Sequence, residues 1–111
     1  MAQLRFSELS APRQILIRAC QQVVFGAIRN LELRDQEPIF GPTTEIVFDI
    51  KLDIDELPRP EQNLTDFAIS EEIRRLTSKL DAWVDGTIEH VEVRAGVPRR
   101  VLFRAAKPMQ R

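Results

Sequence analysis

A single cysteine, Cys20, leaves the chain no intramolecular disulfide, and a single histidine, His90, leaves it no second imidazole. A zinc site draws on several Cys or His ligands, and a histidine general base needs an oriented partner. Only four glycines are present, and no Gly-x-Gly-x-x-Gly, P-loop, Gly-x-Ser-x-Gly or His-Glu-x-x-His pattern occurs. Tyrosine is absent and tryptophan occurs once, so an aromatic platform for single-stranded nucleic acid is thin. The most apolar window, Ile15 to Ile28, is interrupted by Arg18, Gln21 and Gln22 and is too short to span a bilayer. Met1 to Ser10 contains Arg5 and Glu8 and no apolar run, unlike a signal peptide. A net charge of −1 excludes a protein that works chiefly as a polycation. These absences predict a cytoplasmic non-enzyme with no catalytic residues, no metal ligands and no cofactor.

What remains is a repeat. Gly86-Thr87-Ile88-Glu89-His90-Val91-Glu92-Val93-Arg94 lies 60 residues after Gly26-Ala27-Ile28-Arg29-Asn30-Leu31-Glu32-Leu33-Arg34. Pro98 repeats Pro38, and Leu76, Trp83 and Val84 fall on Leu16, Val23 and Val24. The wording Gly-x-Ile-x-x-Leu/Val-Glu-x-Arg, with Pro four residues after the Arg, resembles a pattern of short uncharacterised bacterial proteins. It covers Gly26 to Pro38 and Gly86 to Pro98. The resemblance supports a repeated hairpin and implies no activity.

The chain reads as one domain of 111 residues in five stretches. Residues 1–9 form an arm, with Leu4 and Phe6 able to dock. Residues 10–52 form a first αββ unit, 53–69 a crossover, 70–104 a second αββ unit and 105–111 a tail. Ser10 and Ser70 suit helix N-caps, and Pro12 is tolerated in a first turn. Gly26 and Gly86 read as helix stops. Ile15, Leu16, Ala19, Cys20 and Val23 make one helical stripe, and Ile17 and Val24 lie outside it. The second helix carries Ile73, Leu76, Leu80, Trp83 and Val84 on one face and Arg74, Arg75, Ser78, Lys79 and Asp81 on the other. The apolar phase slips between Ile28 and Leu31 and again between Ile88 and Val91, which predicts a shared bulge. Asp35 to Pro38 reads as a turn. Thr44 to Leu52 alternates as a strand covered on one face, with Leu64 and Phe67 anchoring the crossover. Ala95-Gly96 reads as a tight hairpin turn. The predicted fold is α+β, an internally duplicated α-β-β-α-β-β chain. Its sheet is four-stranded and mostly antiparallel, with both helices on one face.

Cys20 on the apolar stripe reads as a small buried side chain, and His90 as solvated or structural. Asp49, Asp53, Asp55 and Glu56 lack the glycine and distal glutamate of a calcium loop and read as solvated. Charge is uneven. Residues 45–72 hold nine acidic residues against Lys51 and Arg59, and residues 94–111 hold six basic residues and no acidic one. Two surfaces follow. Ile17 and Val24 are candidates for a partner surface in a non-enzymatic, homodimeric interaction module, the first expectation. Arg94, Arg99, Arg100, Arg104 and Lys107 are candidate polyanion contacts, the alternative, with nucleic acid as a partner and no membrane.

Overall fold

The structure, a computed structural model, describes residues 4–54 and 64–106. Helix α1 is Ala11–Val23 and helix α2 is Glu71–Trp83. A helix start leaves several N–H groups without partners. Here Ser10 Oγ accepts from the Arg13 N–H at 3.4 Å, and Ser70 Oγ accepts from the Ile73 N–H at 3.3 Å.

Both helices stop on a valine, not on the following glycine. Val24 (φ 64°, ψ −63°) and Val84 (φ 66°, ψ −63°) are the centres of γ-turns. These are closed by Phe25 N–H to Val23 O at 2.7 Å and Asp85 N–H to Trp83 O at 2.8 Å. A β-branched residue in this conformation is strained. The turn aims a carbonyl across the molecule. Val24 O accepts from the Gly96 N–H at 2.8 Å, and Val84 O accepts from the Gln36 N–H at 2.7 Å. Each helix end is thereby latched to the hairpin that follows the other helix. Gly26 and Gly86, with φ of 150° and 156°, open the next strands.

The strands are β1 (Gly26–Arg34), β2 (Glu37–Ile39), β3 (Glu45–Phe48), β4 (Gly86–Arg94) and β5 (Val97–Ala105). All pair antiparallel in one sheet with β1 and β4 at its centre, β5 on one edge, and β2 and β3 in succession along the other. The fold is thus α+β with two helices and five strands among the described residues, where four strands were expected. The extra strand comes from the expected turn. Only Asp35 and Gln36, both at positive φ, turn the chain, as Ala95 and Gly96 do in the second hairpin, and Glu37 to Ile39 already pair with β1. The loop to β3 then folds over the bulged Asn30 (φ 62°), where Thr44 Oγ1 donates to Asn30 O at 3.0 Å and accepts from the Gly41 N–H at 2.9 Å.

The slip in phase is real in both strands. Ile28, Leu31 and Leu33 of β1 and Ile88, Val91 and Val93 of β4 are all buried, with two residues between the first and second of each set. They form one core with Leu16, Cys20 and Val23 of α1 and Leu76 and Leu80 of α2. A second core joins Ile17 and Ile73 to Phe6, Leu9, Phe67 and Ile69. There the arm docks on the end of the crossover: Phe6 N–H reaches Phe67 O at 2.8 Å and the two rings stack 4.8 Å apart. Asp66 takes hydrogen bonds from the Arg5 side chain and then the Ser7 N–H, which lower its pKa to about 2.

Four expectations fail here. Ile17 is 2% exposed and Val24 9%, so neither offers a surface; the second core and the helix-end latch enclose them. Ile15, expected in the core stripe, is 56% exposed, because α1 turns Leu16 and Ile17 inward instead. The Thr44–Leu52 strand ends at Phe48, and its alternating face is uncovered: Ile46, Phe48, Ile50 and Leu52 are all exposed. Leu64 is exposed as well, leaving Phe67 as the crossover anchor.

Candidate functional site

Two flanks of the helix–sheet sandwich occupy matching places, one beside each helix. The first lies between α1 and the β2–β3 edge. A groove of about 500 Å³ runs past Ile15, Ala19, Gln22, Phe40 and Ile46. A cleft of about 200 Å³ beside it adds Pro12, Pro38 and Ile39. Phe48 continues the apolar surface at 54% exposure, and Ile50, Leu52 and Ile54 extend it along the chain. Isolated exposed apolar residues are ordinary, but a series along one edge is a candidate contact surface.

The second flank lies between α2 and β5. Its groove of about 270 Å³ has Leu76, Trp83, Pro98 and Val101 as floor and Arg75, Lys79, Arg99 and Arg100 as rim, with Glu72 at one end. The Trp83 ring stacks on Phe103 at 4.1 Å and 6°. Arg99 pairs with Glu72 at 3.3 Å. The Glu72 carboxyl is held below its usual range, first by its own backbone N–H and then by the Arg99 charge. Arg75, Lys79 and Arg100 form no ion pair with another described residue.

Compared at the 60-residue spacing, four lining positions of the flanks differ in the same sense. Arg75 stands where the first flank has Ile15, Lys79 where it has Ala19, Arg99 where it has Ile39, and Arg100 where it has Phe40. One groove carries four cations on its lining, and the other, with Arg18 as its cation, is mainly apolar.

The expected polyanion set is therefore divided. Arg99 and Arg100 line the basic groove, joined by Arg75 and Lys79, which the helical pattern had placed on an ordinary solvated face. Arg104 bonds Glu89 at 2.7 Å through Nε, and Arg94 lies 3.7 Å from Glu92. Lys107 falls outside the described residues, as do Asp55 and Glu56. Trp83 is half-buried, its ring forming groove floor as well as core packing.

The reactive side chains are placed as packing groups. Cys20 is fully buried, and desolvation pushes its thiol up to about 12, away from the thiolate that a nucleophile requires. His90 Nδ1 accepts from Arg29 Nε at 3.4 Å on the sheet face opposite the helices. Among the described residues, no three His, Cys, Asp or Glu side chains converge as a metal site. No helix among them is long and apolar enough to cross a membrane.

One organising residue gave no periodic signal. Arg13, 13% exposed at its side chain, lies 3.3 Å from Glu37 and 2.5 Å from Asp81, and donates to Gln36 O at 3.0 Å. It ties α1 to the first hairpin and to α2, and Glu37 also accepts from Ser10 Oγ at 2.8 Å. A basic residue in the first turn opposes the helix dipole, and its partners lie far along the chain, so neither propensity nor spacing identifies it. No protein-family model matches this chain, and no curated protein sequence or solved structure matches it.

Proposed function

We propose that the chain is a non-enzymatic interaction module that works as a homodimer, docking through the apolar flank of α1 and β3. The observation that carries this reading is the uncovered series Ile15, Ile46, Phe48, Ile50 and Leu52, the last 95% exposed, on an edge with no further strand beside it among the described residues. An edge strand with apolar side chains is a template for another chain unless charge or proline blunts it. The expected result is a dimer in sedimentation equilibrium that dissociates on dilution, and a shift to monomer for Phe48→Lys. A wild-type protein that stays monomeric at every concentration removes the reading.

The module itself is best understood as two diverged copies of one α-β-β unit about a pseudo-twofold axis. Three features support this. The helices are both 13 residues long, start 60 apart and share cap and γ-turn. The pairs Gly26↔Val93 and Leu33↔Gly86 become each other when shifted by that spacing. The two latches, Gly96 to Val24 and Gln36 to Val84, exchange in the same way. A duplication also accounts for the opposite chemistry of the flanks, since one copy can keep a surface while the other changes.

A second reading rests on Arg75, Lys79 and Arg100 around the α2–β5 groove, none within ion-pair distance of another described residue: this flank binds polyanions such as nucleic acid. Fluorescence anisotropy of labelled oligonucleotides is expected to show affinity that falls steeply with salt, as counterion release requires. The Arg99→Ala plus Arg100→Ala variant is expected to lose it. Salt-independent binding, or none at low salt, removes this reading and leaves the first intact.

A further inference from the structure

Strand β3 has one satisfied side and one open side. The Asp49 N–H bonds Phe25 O at 2.8 Å, continuing the register in which Val47 faces Ala27 and Glu45 faces Arg29. Antiparallel ladders alternate the direction of their backbone groups residue by residue. With Glu45, Val47 and Asp49 directed at β1, the N–H and C=O groups of Ile46, Phe48 and Ile50 point away from the sheet.

From this we infer that β3 pairs antiparallel with β3 of a second copy, centred on Phe48, and joins the two sheets into one. The inference rests on the homodimer reading and specifies its contact. The occupant is argued from the strand itself, because Glu45-Ile46-Val47-Phe48-Asp49-Ile50-Lys51 complements itself when reversed. About Phe48, Ile46 meets the partner's Ile50 and Phe48 meets the partner's Phe48, all on the helix-bearing face. On the other face Glu45 meets the partner's Lys51, twice by symmetry, as an isologous interface demands. Neither Glu45 nor Lys51 forms an ion pair with another described residue of its own chain. The same open backbone groups would also serve a pairing centred on Val47 or on Asp49. The first sets Glu45 against the partner's Asp49 and the second sets Asp49 against the partner's Asp49, and like charges directly opposite are unfavourable. Charge therefore favours the Phe48 register over those two; a pairing centred on Ile50 would set Asp49 against the partner's Lys51, and Glu45→Lys, which would not weaken it, tells the two apart.

The pairing also resolves two features of the isolated chain. The strand pattern runs to Leu52 but regular pairing stops at Phe48, with one further bond from the Asp49 N–H to Phe25 O, because the chain before Phe25 turns into α1. A second β3 supplies partners for Ile50 and beyond. Strands lie about 4.8 Å apart while packed helices need about 10 Å, so two neighbouring edge strands leave the space between flanking helices in which apolar side chains pack. The groove past Ile15, Ala19 and Ile46 would then close against its own symmetry mate.

The test is sedimentation velocity on four proteins: wild type, Glu45→Lys, Lys51→Glu and the double exchange. Both residues are exposed, so the fold is expected to persist, with circular dichroism as the check. Each single exchange puts two like-charge pairs at the interface and is expected to weaken the dimer at least about ten-fold. The double exchange, which restores two opposite-charge pairs, is expected to return affinity to within about three-fold of wild type. Independently, the amides of Ile46, Phe48 and Ile50 are expected to gain hydrogen-exchange protection as concentration rises through the dimer range. A dimer indifferent to both single exchanges overturns the Phe48 register while the homodimer reading stands. Open-ended assemblies overturn it in favour of β3 meeting the basic edge of β5. A monomer at all concentrations overturns both readings together.

Discussion

Gly26→Ala is expected to destabilise the chain by about 4 kcal/mol. Two costs combine. A non-glycine residue held at φ 150° is strained by roughly 1–3 kcal/mol. The new Cβ would also lie 2.0 Å from Val47 O and 3.0 Å from Val23 Cγ1. The carbonyl belongs to the β1–β3 ladder and cannot rotate aside, so strand and helix end must separate, at roughly 1–3 kcal/mol for an overpacked core. Gly86 repeats the situation, with the Phe103 ring, held under Trp83, at 2.4 Å and the backbone Arg104 O at 2.5 Å. Gly86→Ala is therefore expected to cost a comparable amount. Gly41, with nothing within 4 Å of its added methyl, is the control and should change by less than about 0.5 kcal/mol. Urea titration followed by Trp83 fluorescence measures all three. A Gly26→Ala loss below about 1 kcal/mol would mean that β3 does not close on the helix end as described.

How far the sequence reveals this architecture depends on whether a feature is local. Ser10 and Ser70 cap helices because their hydroxyls act within one turn, and both helices fall within two residues of their expected bounds. The bulge is legible in the same way, since two consecutive outward residues, Arg29 and Asn30, break the alternation around them. Most of the failures are tertiary, the helix stops at Val24 and Val84 aside. Ile15 and Ile17 are equally apolar neighbours, and only the distant Phe6 and Phe67 decide which is covered. Alternation from Thr44 to Leu52 reports that two faces differ, not that anything covers the apolar one. The basic groove was half legible. Arg99 and Arg100 stand out on the hairpin, but Arg75 and Lys79 become part of the same site only because α2 lies along β5. Each of them, taken alone, is an ordinary exposed helix residue.

In the two-copy reading proposed above, the opposite chemistry of the flanks has a simple origin: two similar grooves, of which a homodimer needs only one. Where Ile15, Ile39 and Phe40 keep an apolar groove, Arg75, Arg99 and Arg100 place guanidinium groups whose hydration opposes docking of a second apolar face. In the homodimer reading, one flank associates and the other stays open, so assembly closes at two copies without extending to fibres.

Trp83→Ala is the second large expectation, at about 3 kcal/mol, the low end of the range for a large aromatic because the ring is half-buried. The indole is the outer layer of a three-tier stack. Gly86 has no side chain, so the Phe103 ring settles against its backbone, and Trp83 covers Phe103 from the helix side. A near-parallel stack at 4.1 Å is less favourable than an offset or edge-on one, so its share beyond burial is expected to be about 0.5 kcal/mol. A double-mutant cycle with Phe103→Ala separates that coupling from the burial each ring contributes. Phe substituted for Trp83 should recover more than half of the loss, since it can still cover Phe103. The same replacement bears on the groove. Trp83→Phe keeps an aromatic floor between Arg75, Lys79 and Arg100, so any anion binding should survive it. Trp83→Ala leaves the rim charges in place over a cavity, and is expected to weaken binding of a ligand that stacks but not of one held by charge alone. Full stability in Trp83→Ala would show that α2 is not seated on β5 through this ring, and the basic groove would lose its floor along with the argument for it.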